Sequence, residues 1–572
     1  MHHALDMFYP EAALFVLSTT LLLAAWVRGA WSAGGMRIGR AGILVAAWLV
    51  LFALRADYGN INSYVAAAFL VGAWALGRAV PRRVLWVLLL PVLLYDLWYG
   101  YRDVFSGLTS RLSGWADNPN AFADTLLPLL GITGGAALFF RGIRRRVACG
   151  LFVLSSVVFV LTGSRAGLVG ALVIGLLFLY LRVFRRHIAR LSLWQHIGAG
   201  GAVLLLAAGC FYSLYRLRPD SARGRLLMYR VSAAAIAQHP AGKGLVSFSH
   251  KYPLDQAAYF ARHPDSPYAY YASDTRSCFN ELLQVGYELG WAGIALFVVS
   301  LWYLLRIPLR GRRGLLVLKV ALAGMLSASM FAYPLRSYPS AALYALFFGL
   351  MLSYDRRPLF TLKTPKWARI AVLVPGAALL AFVCLYVGRR WDAYRRFDDI
   401  CTGQVEGCDD ILAAYRACYP VLRNEGLFLR SYAQDLSFLG ECGQSTDIYR
   451  EAARLYIDHQ MFLSMGANYE CDQDYARAEE CYLQAHDMIP HKFVPLYRLM
   501  LLHQHQGNDV QAGIYARIIV EKRVKVPSTL IDRMRAEAAA VLDEPFPTGD
   551  NSRPRKYRRR ASIYRFTLSF FV

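Results

Sequence analysis

The chain has 572 residues, of which 56% are hydrophobic and 18% are charged. This composition is too apolar for an ordinary soluble protein, so a lipid bilayer is predicted to be its main solvent. The formal net charge of +24 could indicate nucleic-acid binding, but the basic residues of a membrane protein are first tested for a bias to one side.

About twelve apolar stretches are predicted to be transmembrane helices from their length and hydropathy. They lie near residues 11–27, 41–54, 63–79, 84–99, 121–140, 147–162, 166–183, 194–212, 291–305, 314–332, 338–354 and 367–388. The first stretch is interpreted as a true span, because no Lys or Arg precedes it and no small-residue cleavage site is evident.

Basic residues concentrate in alternate connections between these stretches. The basic connections lie near residues 28–40, 78–83, 141–146, 182–190, 306–313 and 356–369. The positive-inside rule places them in the cytoplasm, so the N-terminus, the connections near 100–120 and 213–290, and everything after about residue 389 are predicted to lie outside. Topology explains much of the positive charge, and no nucleic-acid partner is expected.

The residues after the last apolar stretch predict a soluble helical domain. Charged and aromatic residues interleave at helical spacing to about residue 540. A shift of about 34 residues superposes Tyr432, Gly466 and Met500, which is the period of tetratricopeptide repeats. The domains are therefore predicted as 1–388 for the membrane domain with its 213–290 periplasmic loop, 389–545 for a periplasmic repeat domain, and 546–572 for a basic tail.

The segment 475–490 resembles the second helix of a tetratricopeptide repeat, with Ala478, Tyr482 and Ala485 at the packing positions. The domain is predicted either to present a concave docking surface to a protein partner or acceptor, or to act as a cap on the membrane domain. The basic tail is predicted to be solvated, with contact to anionic lipid headgroups as the alternative.

An even number of cysteines lies in the tail, on the side predicted to be oxidising. They are Cys401, Cys408, Cys418, Cys442, Cys471 and Cys481. Cys401 and Cys408 are the favoured disulfide pair, although six cysteines leave the connectivity open. No CxxC pair or Cys/His spacing predicts a zinc site, so no metal is expected.

Three outward stretches carry candidate functional residues. In 114–130, Asn118 and Asn120 offer amides to a sugar or phosphate, or cap the helix that follows. In 161–167, Arg165 offers a planar fork of donors to a pyrophosphate, or snorkels to lipid headgroups.

The third stretch is the loop 213–290, where arginines accumulate against the positive-inside trend, so an anionic partner is expected. They are Arg216, Arg218, Arg223, Arg225 and Arg230. The loop continues through a glycine-rich turn at 236–248 and returns to the membrane over 274–293.

These motifs, in this order, resemble the O-antigen ligase and polymerase superfamily of bacterial cell envelopes over roughly residues 100–350. The matching positions are the NPN motif at 118–120, LTGSR with Arg165, GRxxxY with Gly224, Arg225 and Tyr229, HPAGKG with Pro240, Gly242 and Gly244, and NExLQxxxExG with Asn280, Gln284, Glu288 and Gly290.

The resemblance implies a polytopic, mainly α membrane protein that acts as a metal-independent glycosyltransferase without a cofactor. It implies transfer of a glycan from undecaprenyl pyrophosphate to an acceptor hydroxyl on lipid A core, protein or glycan, at the outer face of the inner membrane. Arg165 and Arg225 match the arginines that hold the pyrophosphate and offset charge on the leaving group. Asn118, Asn120, Arg223, Tyr229 and Asn280 are the expected substrate contacts.

The sequence departs from the family pattern where ligases carry a His-Asn pair, because this chain reads Phe279-Asn280. Candidates for the general base are His239, His250, His263, Glu281 and Glu288, and His263 and Glu288 are the predicted catalytic residues among them.

The function that the resemblance implies is a glycan ligase. A polysaccharide polymerase of the same superfamily and a non-catalytic scaffold or transporter are the alternatives.

Overall fold

The computed structural model describes residues 36–56, 61–107, 111–116, 118–184, 192, 195, 219–355, 358–362, 367, 373–405 and 407–543. Several predicted features lie outside these ranges: the spans near 11–27 and 194–212 (apart from residue 195), the tail 546–572, and Arg216 and Arg218. The described residues are mainly helical. A short antiparallel pair, β1 (Met36–Ile38) and β2 (Phe360–Leu362), aligns Arg37 with Thr361.

The chain divides into two compact units. The first comprises Met1–Pro219, Pro240–Leu245 and Ser277–Asp392. Its helices are α1 (Arg40–Arg55), α2 (Ile61–Ala79), α3 (Arg82–Phe105), α4 (Pro119–Phe139), α5 (Gly142–Leu161), α6 (Arg165–Leu179), α9 (Glu281–Arg306), α10 (Arg313–Ser329), α11 (Tyr338–Leu352) and the start of α12 (Leu373–Cys401). A π-helical turn, Tyr180–Phe184, follows α6.

Four helical segments among the described residues are long and apolar enough to cross a membrane: Arg82–Phe105, Pro119–Phe139, Arg165–Val183 and Glu281–Arg306. Two shorter apolar helical segments are Ala66–Gly77 and Ser340–Leu352. The structure thus supports apolar helical spans, while the larger number expected from hydropathy remains a prediction.

Helix α4 forms the centre of the first unit. Its most apolar 18-residue stretch is 72% buried, whereas the corresponding stretches of α3 and α9 are 33% buried. It packs on α5, α6 and α10. Small residues allow this close approach, since a Cβ at Gly131 would lie 2.8 Å from the Ala321 Cβ of α10.

The second unit combines part of the 213–290 loop with the C-terminal helices. It comprises Asp220–His239, Val246–Arg276 and Ala393–Val572, so the 213–290 loop is shared between the two units. Its helices are α7 (Pro219–Gln238), α8 (Phe248–Arg262), the end of α12, α13 (Cys408–Leu422), α14 (Gly426–Phe438), α15 (Cys442–Ala452), α16 (His459–Cys471), α17 (Tyr475–Met488), α18 (Val494–His505), α19 (Asp509–Glu521) and α20 (Thr529–Asp543).

The C-terminal helices pack as neighbouring pairs, α14 with α15, α16 with α17, and α18 with α19. Capping side chains define several starts: the Asp458 carboxylate accepts from the Met461 amide at 2.9 Å, and Asn508 caps α19. The predicted packing residues Ala478, Tyr482 and Ala485 are all fully buried.

Loop helix α8 packs on α17 within this unit. The Gln256 amide of α8 donates to the Met488 carbonyl at 2.7 Å. The Asp274 carboxylate lies 2.5 Å from Nδ1 of His459 at the start of α16. These contacts join loop and tail into one core.

The favoured pairing of Cys401 with Cys408 is absent from the structure, in which both thiols are free. Cys442, at the start of α15, has a different neighbour. Burial and the adjacent Cys471 thiol raise the pKa of Cys442 to about 11. Sequence spacing missed this pair, because Cys442 and Cys471 come together only when α15 packs on α16.

Replacing Gly466 with Ala should destabilise the second unit by about 1–3 kcal/mol. A Cβ at Gly466 would lie 2.5 Å from the Tyr482 ring, which is fully buried and has no room to withdraw. Pulse proteolysis of the full-length protein would measure the loss.

Gly443→Ala is the matched control, because a Cβ at Gly443 in α15 meets nothing within 4 Å. It should leave stability unchanged or raise it by about 0.5–1 kcal/mol. Equal stabilities for the two variants would contradict the packing of α16 on α17.

Candidate functional site

The first element of the site is the start of α4. Asn118 caps this helix, with its side-chain oxygen accepting from the Asn120 amide at 2.9 Å, and Pro119 occupies the first turn. The helix-capping role, predicted as the alternative to ligand binding, is therefore present at Asn118. The same side chain also donates to the Tyr333 hydroxyl at 3.0 Å.

Arg111 connects the start of α4 to the start of α6. Its guanidinium donates at 2.8 Å to the carbonyls of Thr162 and Gly163, and at 3.4 Å to the Asn120 side chain. Arg165 is the first residue of α6, directly after its cap Ser164, and is half-buried. The two motifs, separate in sequence, are thus joined by an arginine that belongs to neither.

The start of α9 carries the third motif. Asn280 caps the helix by accepting from the Leu283 amide at 3.0 Å, and it donates to the Met330 carbonyl at 3.2 Å. Glu281 is buried and accepts from the Leu335 amide at 2.9 Å. The segment 330–337 is therefore held against the start of α9.

Glu288 lies one helical turn above Gln284 and is 1% exposed. Its carboxylate accepts from Gln284 at 3.1 Å and from the Arg336 guanidinium at 2.7 Å. A buried carboxylate requires such a partner, because an unpaired charge in this environment is costly.

Tyr333 completes the connection between the motifs. Its ring packs edge-on against Phe279 with centroids 4.8 Å apart, while its hydroxyl accepts from Asn118. Phe279 itself has a φ of 53°. A phenylalanine rarely adopts this conformation, so the surrounding packing must hold it.

A glycine-rich turn fixes the middle of α9. Pro240 accepts from the Trp291 amide at 3.0 Å, and the Gly244 amide donates to the Glu288 carbonyl at 2.9 Å. Gly290 (φ 67°) interrupts the helical conformation, and a Cβ there would lie 2.1 Å from the Pro240 carbonyl oxygen. Only glycine fits this backbone-to-backbone contact.

Asp96 of α3 and Asp124 of α4 are buried acids outside the predicted site. Asp96 accepts from the Trp115 indole at 2.8 Å, and Asp124 of α4 is 2% exposed and interacts electrostatically with Glu281. Charge inside an apolar bundle is a functional signal. That signal is present in the sequence at both positions.

Helix α7 of the second unit carries the remaining predicted contacts. Arg223 donates to the Tyr271 hydroxyl, and its guanidinium lies 5.4 Å from the centroid of that ring. Arg225 and Tyr229 are half-buried on the same helix. Arg223, Arg225 and Tyr229 thus lie on one helix of the second unit, whereas Arg165 belongs to the first unit.

The histidines differ in their surroundings. His263 follows α8, is exposed and stacks on Tyr259 with ring centroids 4.7 Å apart. Its Nδ1 lies 3.0 Å from the Tyr259 carbonyl, which can only accept, so this nitrogen carries the proton. His250 is buried, and desolvation followed by the charge of Lys251 lowers its pKa to about 4. His239 is exposed at the end of α7.

The structure joins Asn118, Asn120, Asn280 and Glu288 through Arg111, Tyr333 and Arg336, which are not among the residues predicted from the sequence. Arg111 had a usable signal, since it is a basic residue in a predicted outer connection. Tyr333 and Arg336 had none, because their partners lie far away in sequence. Within the described ranges, no group of three or more His, Cys, Asp or Glu side chains is placed to hold a metal ion.

A family model described as O-Antigen ligase matches residues 150–298. The match includes Arg165, Arg225 and Glu288, and it supports the O-antigen ligase superfamily and a ligase- or polymerase-type function. Together with the apolar helices, it supports a membrane-embedded protein. No curated protein matches the chain.

Gly290→Ala should destabilise the first unit by about 2–4 kcal/mol, because the new Cβ would overlap the Pro240 carbonyl and the backbone has a positive φ. Thermal unfolding of the purified protein checks this. Gly175→Ala in α6 is the control, since a Cβ there meets nothing within 4 Å. A Gly290 variant as stable as the control would show that the turn does not hold α9.

Arg336→Met should cost about 3–5 kcal/mol, because Glu288 would stay buried without the positive charge of the guanidinium. Adding Glu288→Gln should recover part of the loss, which a double-mutant cycle measures. Arg102→Met is the control: Arg102 contacts Asp103 at 3.2 Å but is 54% exposed, so it should cost less than about 1 kcal/mol. Strictly additive losses at Arg336 and Glu288 would refute the pairing.

Proposed function

We propose that this protein transfers a glycan from undecaprenyl pyrophosphate to an acceptor hydroxyl at the outer face of the inner membrane. The acceptor class is lipid A core, protein or another glycan. In this proposal residues 1–388 form a membrane domain of about twelve spans, residues 389–545 form a periplasmic tetratricopeptide-like domain and residues 546–572 form a basic tail. The observation that supports it best is the hydrogen-bonded joining of three family motifs at the starts of α4, α6 and α9.

The starts of these helices suit a phosphate-bearing donor. Helix N-termini carry partial positive charge, and Arg165 adds a guanidinium at the start of α6. Arg165 and Arg225 are proposed to bind the pyrophosphate and to stabilise the negative charge that develops as it leaves. Asn118, Asn120, Arg223, Tyr229 and Asn280 are proposed to orient the donor and its first sugar.

In the proposed reaction the acceptor oxygen forms a bond to the anomeric carbon of the donor. The bond from that carbon to the pyrophosphate oxygen breaks, and the pyrophosphate leaves with the electron pair. The hydroxyl proton passes to a general base. No metal or other cofactor takes part in the proposed reaction.

His263 is the proposed base. Because its Nδ1 proton is directed at the Tyr259 carbonyl, the lone pair of the neutral ring is on Nε2. Glu288 is instead held by Arg336 and Gln284, which favours a positioning role for it. His250 is less suited, because its lowered pKa makes it a weak base.

A polymerase would use the same donor with a glycan chain as acceptor. The C-terminal helices favour ligation, since a bulky acceptor needs a docking surface more than a growing chain does. A scaffold or transporter without catalysis is the second alternative, and it would leave donor consumption independent of Arg225.

The test uses the native host without its chromosomal copy, complemented with wild type, Arg225→Ala, His263→Gln or Arg416→Ala at matched expression. Undecaprenyl-linked glycan is measured by mass spectrometry. Arg225→Ala should slow donor consumption by about 10²–10³-fold, through loss of one charge-stabilising group. His263→Gln should slow it by about 10²–10⁴-fold, through loss of proton transfer.

Arg416 is exposed on α13 and outside the proposed site, so its variant should behave as wild type. The size distribution of the product separates a ligase from a polymerase. Equal donor levels in the deletion, Arg225→Ala and wild-type strains would overturn the glycosyltransferase proposal and favour the scaffold or transporter.

A further inference from the structure

A cluster of cations surrounds Tyr270 in the second unit, apart from the residues assigned to catalysis. Three connections contribute to it: the 3₁₀ turn Ala269–Tyr271, the segment between α17 and α18, and the segment between α19 and α20. We name it the Tyr270 patch. It consists of Tyr270, His491, Lys492, Lys522, Arg523 and Lys525.

The aromatic ring of Tyr270 lies at the centre of the patch. The Arg523 guanidinium is 5.0 Å and the Lys525 ammonium 5.3 Å from its ring centroid. The His491 ring centroid lies 6.3 Å from it, and Nδ1 of His491 is 3.4 Å from the Ala269 carbonyl. Cation–π attraction holds the two cations near the ring without neutralising them.

The positive charges of the patch are poorly compensated. Within the part of the chain that the structure describes, Lys492, Lys522, Arg523 and Lys525 form no ion pair, and Lys522 donates to the Pro490 carbonyl. Asp220 acts electrostatically on Lys525 from α7. Positive charge therefore predominates in the patch, an arrangement that attracts an anion.

The pKa values of His491 and Lys522 are both lowered, and burial is the largest cause of each shift. Desolvation, followed by the charges of Lys525, Lys492 and Lys522, lowers the pKa of His491 to about 4. Burial lowers the pKa of Lys522 to about 8. A bound anion would offset the repulsion among these cations.

We propose that the Tyr270 patch binds the phosphate group of a phosphorylated saccharide, with the ring and hydroxyl of Tyr270 contacting the sugar. The phosphate offers several acceptor oxygens to the guanidinium and ammonium donors. The proposal rests on the proposed function only for the view that this protein handles glycans. The charge surplus stands independently of it.

The position of the patch favours a compact ligand over a lipid surface. Four of its side chains are half-buried among the three connections: Tyr270, His491, Lys522 and Lys525. Side chains that bind lipid headgroups instead project fully from the surface. The basic segment after residue 552 is also a poor occupant, because its charge has the same sign as the patch.

The test measures binding of fluorescent mannopentaose phosphate to the full-length protein in nanodiscs of uncharged lipid. Uncharged mannopentaose is the matched probe. Arg523→Glu/Lys525→Glu should weaken binding of the phosphorylated probe by about tenfold or more, because two attractive charges become repulsive. Arg416→Glu/Arg454→Glu makes the same charge change at exposed positions on other parts of the unit and should change affinity by less than about twofold.

Tyr270→Ala separates a sugar contact from simple anion binding. This substitution should weaken binding of the phosphorylated saccharide more than binding of inorganic phosphate. Equal affinity in the patch and control variants would overturn the proposal, as would a patch that captures phosphatidylglycerol vesicles in preference to the saccharide. Because the readout is binding, these results stand apart from donor consumption, and normal consumption with lost binding would leave the proposed function intact.

Discussion

The backbone contact between the 240–245 turn and the kink at Gly290 is the constraint on which the arrangement of the motif residues in the first unit depends. The Trp291 amide donates to Pro240 and the Gly244 amide to Glu288, so peptide groups freed by the interrupted helix find partners in the turn. The two segments approach so closely that no side chain fits between them. The early part of α9, from Asn280 to Glu288, is thereby held at a fixed angle to the remainder.

That angle determines what the motif residues can contact. Glu288 meets Arg336, Glu281 meets the Leu335 amide, and Asn280 meets Met330, so one segment is anchored three times along the same helix face. Tyr333, within that segment, then reaches Asn118. Polar side chains in an apolar bundle are expensive unless paired, so these contacts provide both solvation and orientation.

The C-terminal helices share one compact unit with part of the 213–290 loop. Residues 220–239, which carry Arg223, Arg225 and Tyr229, belong to the same compact unit as those helices. Gln256 and Asp274, which follow them in the loop, hydrogen-bond to Met488 and His459. The tail is therefore part of the structure that supports the loop arginines, and changes in its packing are expected to reach them.

The sequence by itself determined the features that depend on nearby residues. Several apolar stretches coincide with helices among the described residues, Asn118 and Asn280 stand at the starts of α4 and α9, and the periodic positions Ala478, Tyr482 and Ala485 are buried. A helix and its cap form from residues within about four positions, so a local pattern is sufficient. Tertiary structure alone decided which distant groups meet. It paired Arg336 with Glu288, set Cys442 beside Cys471, joined the loop helices to the tail and gathered cations around Tyr270. These contacts depend on how helices pack and on the cost of burying unpaired charge, neither of which spacing along one chain records.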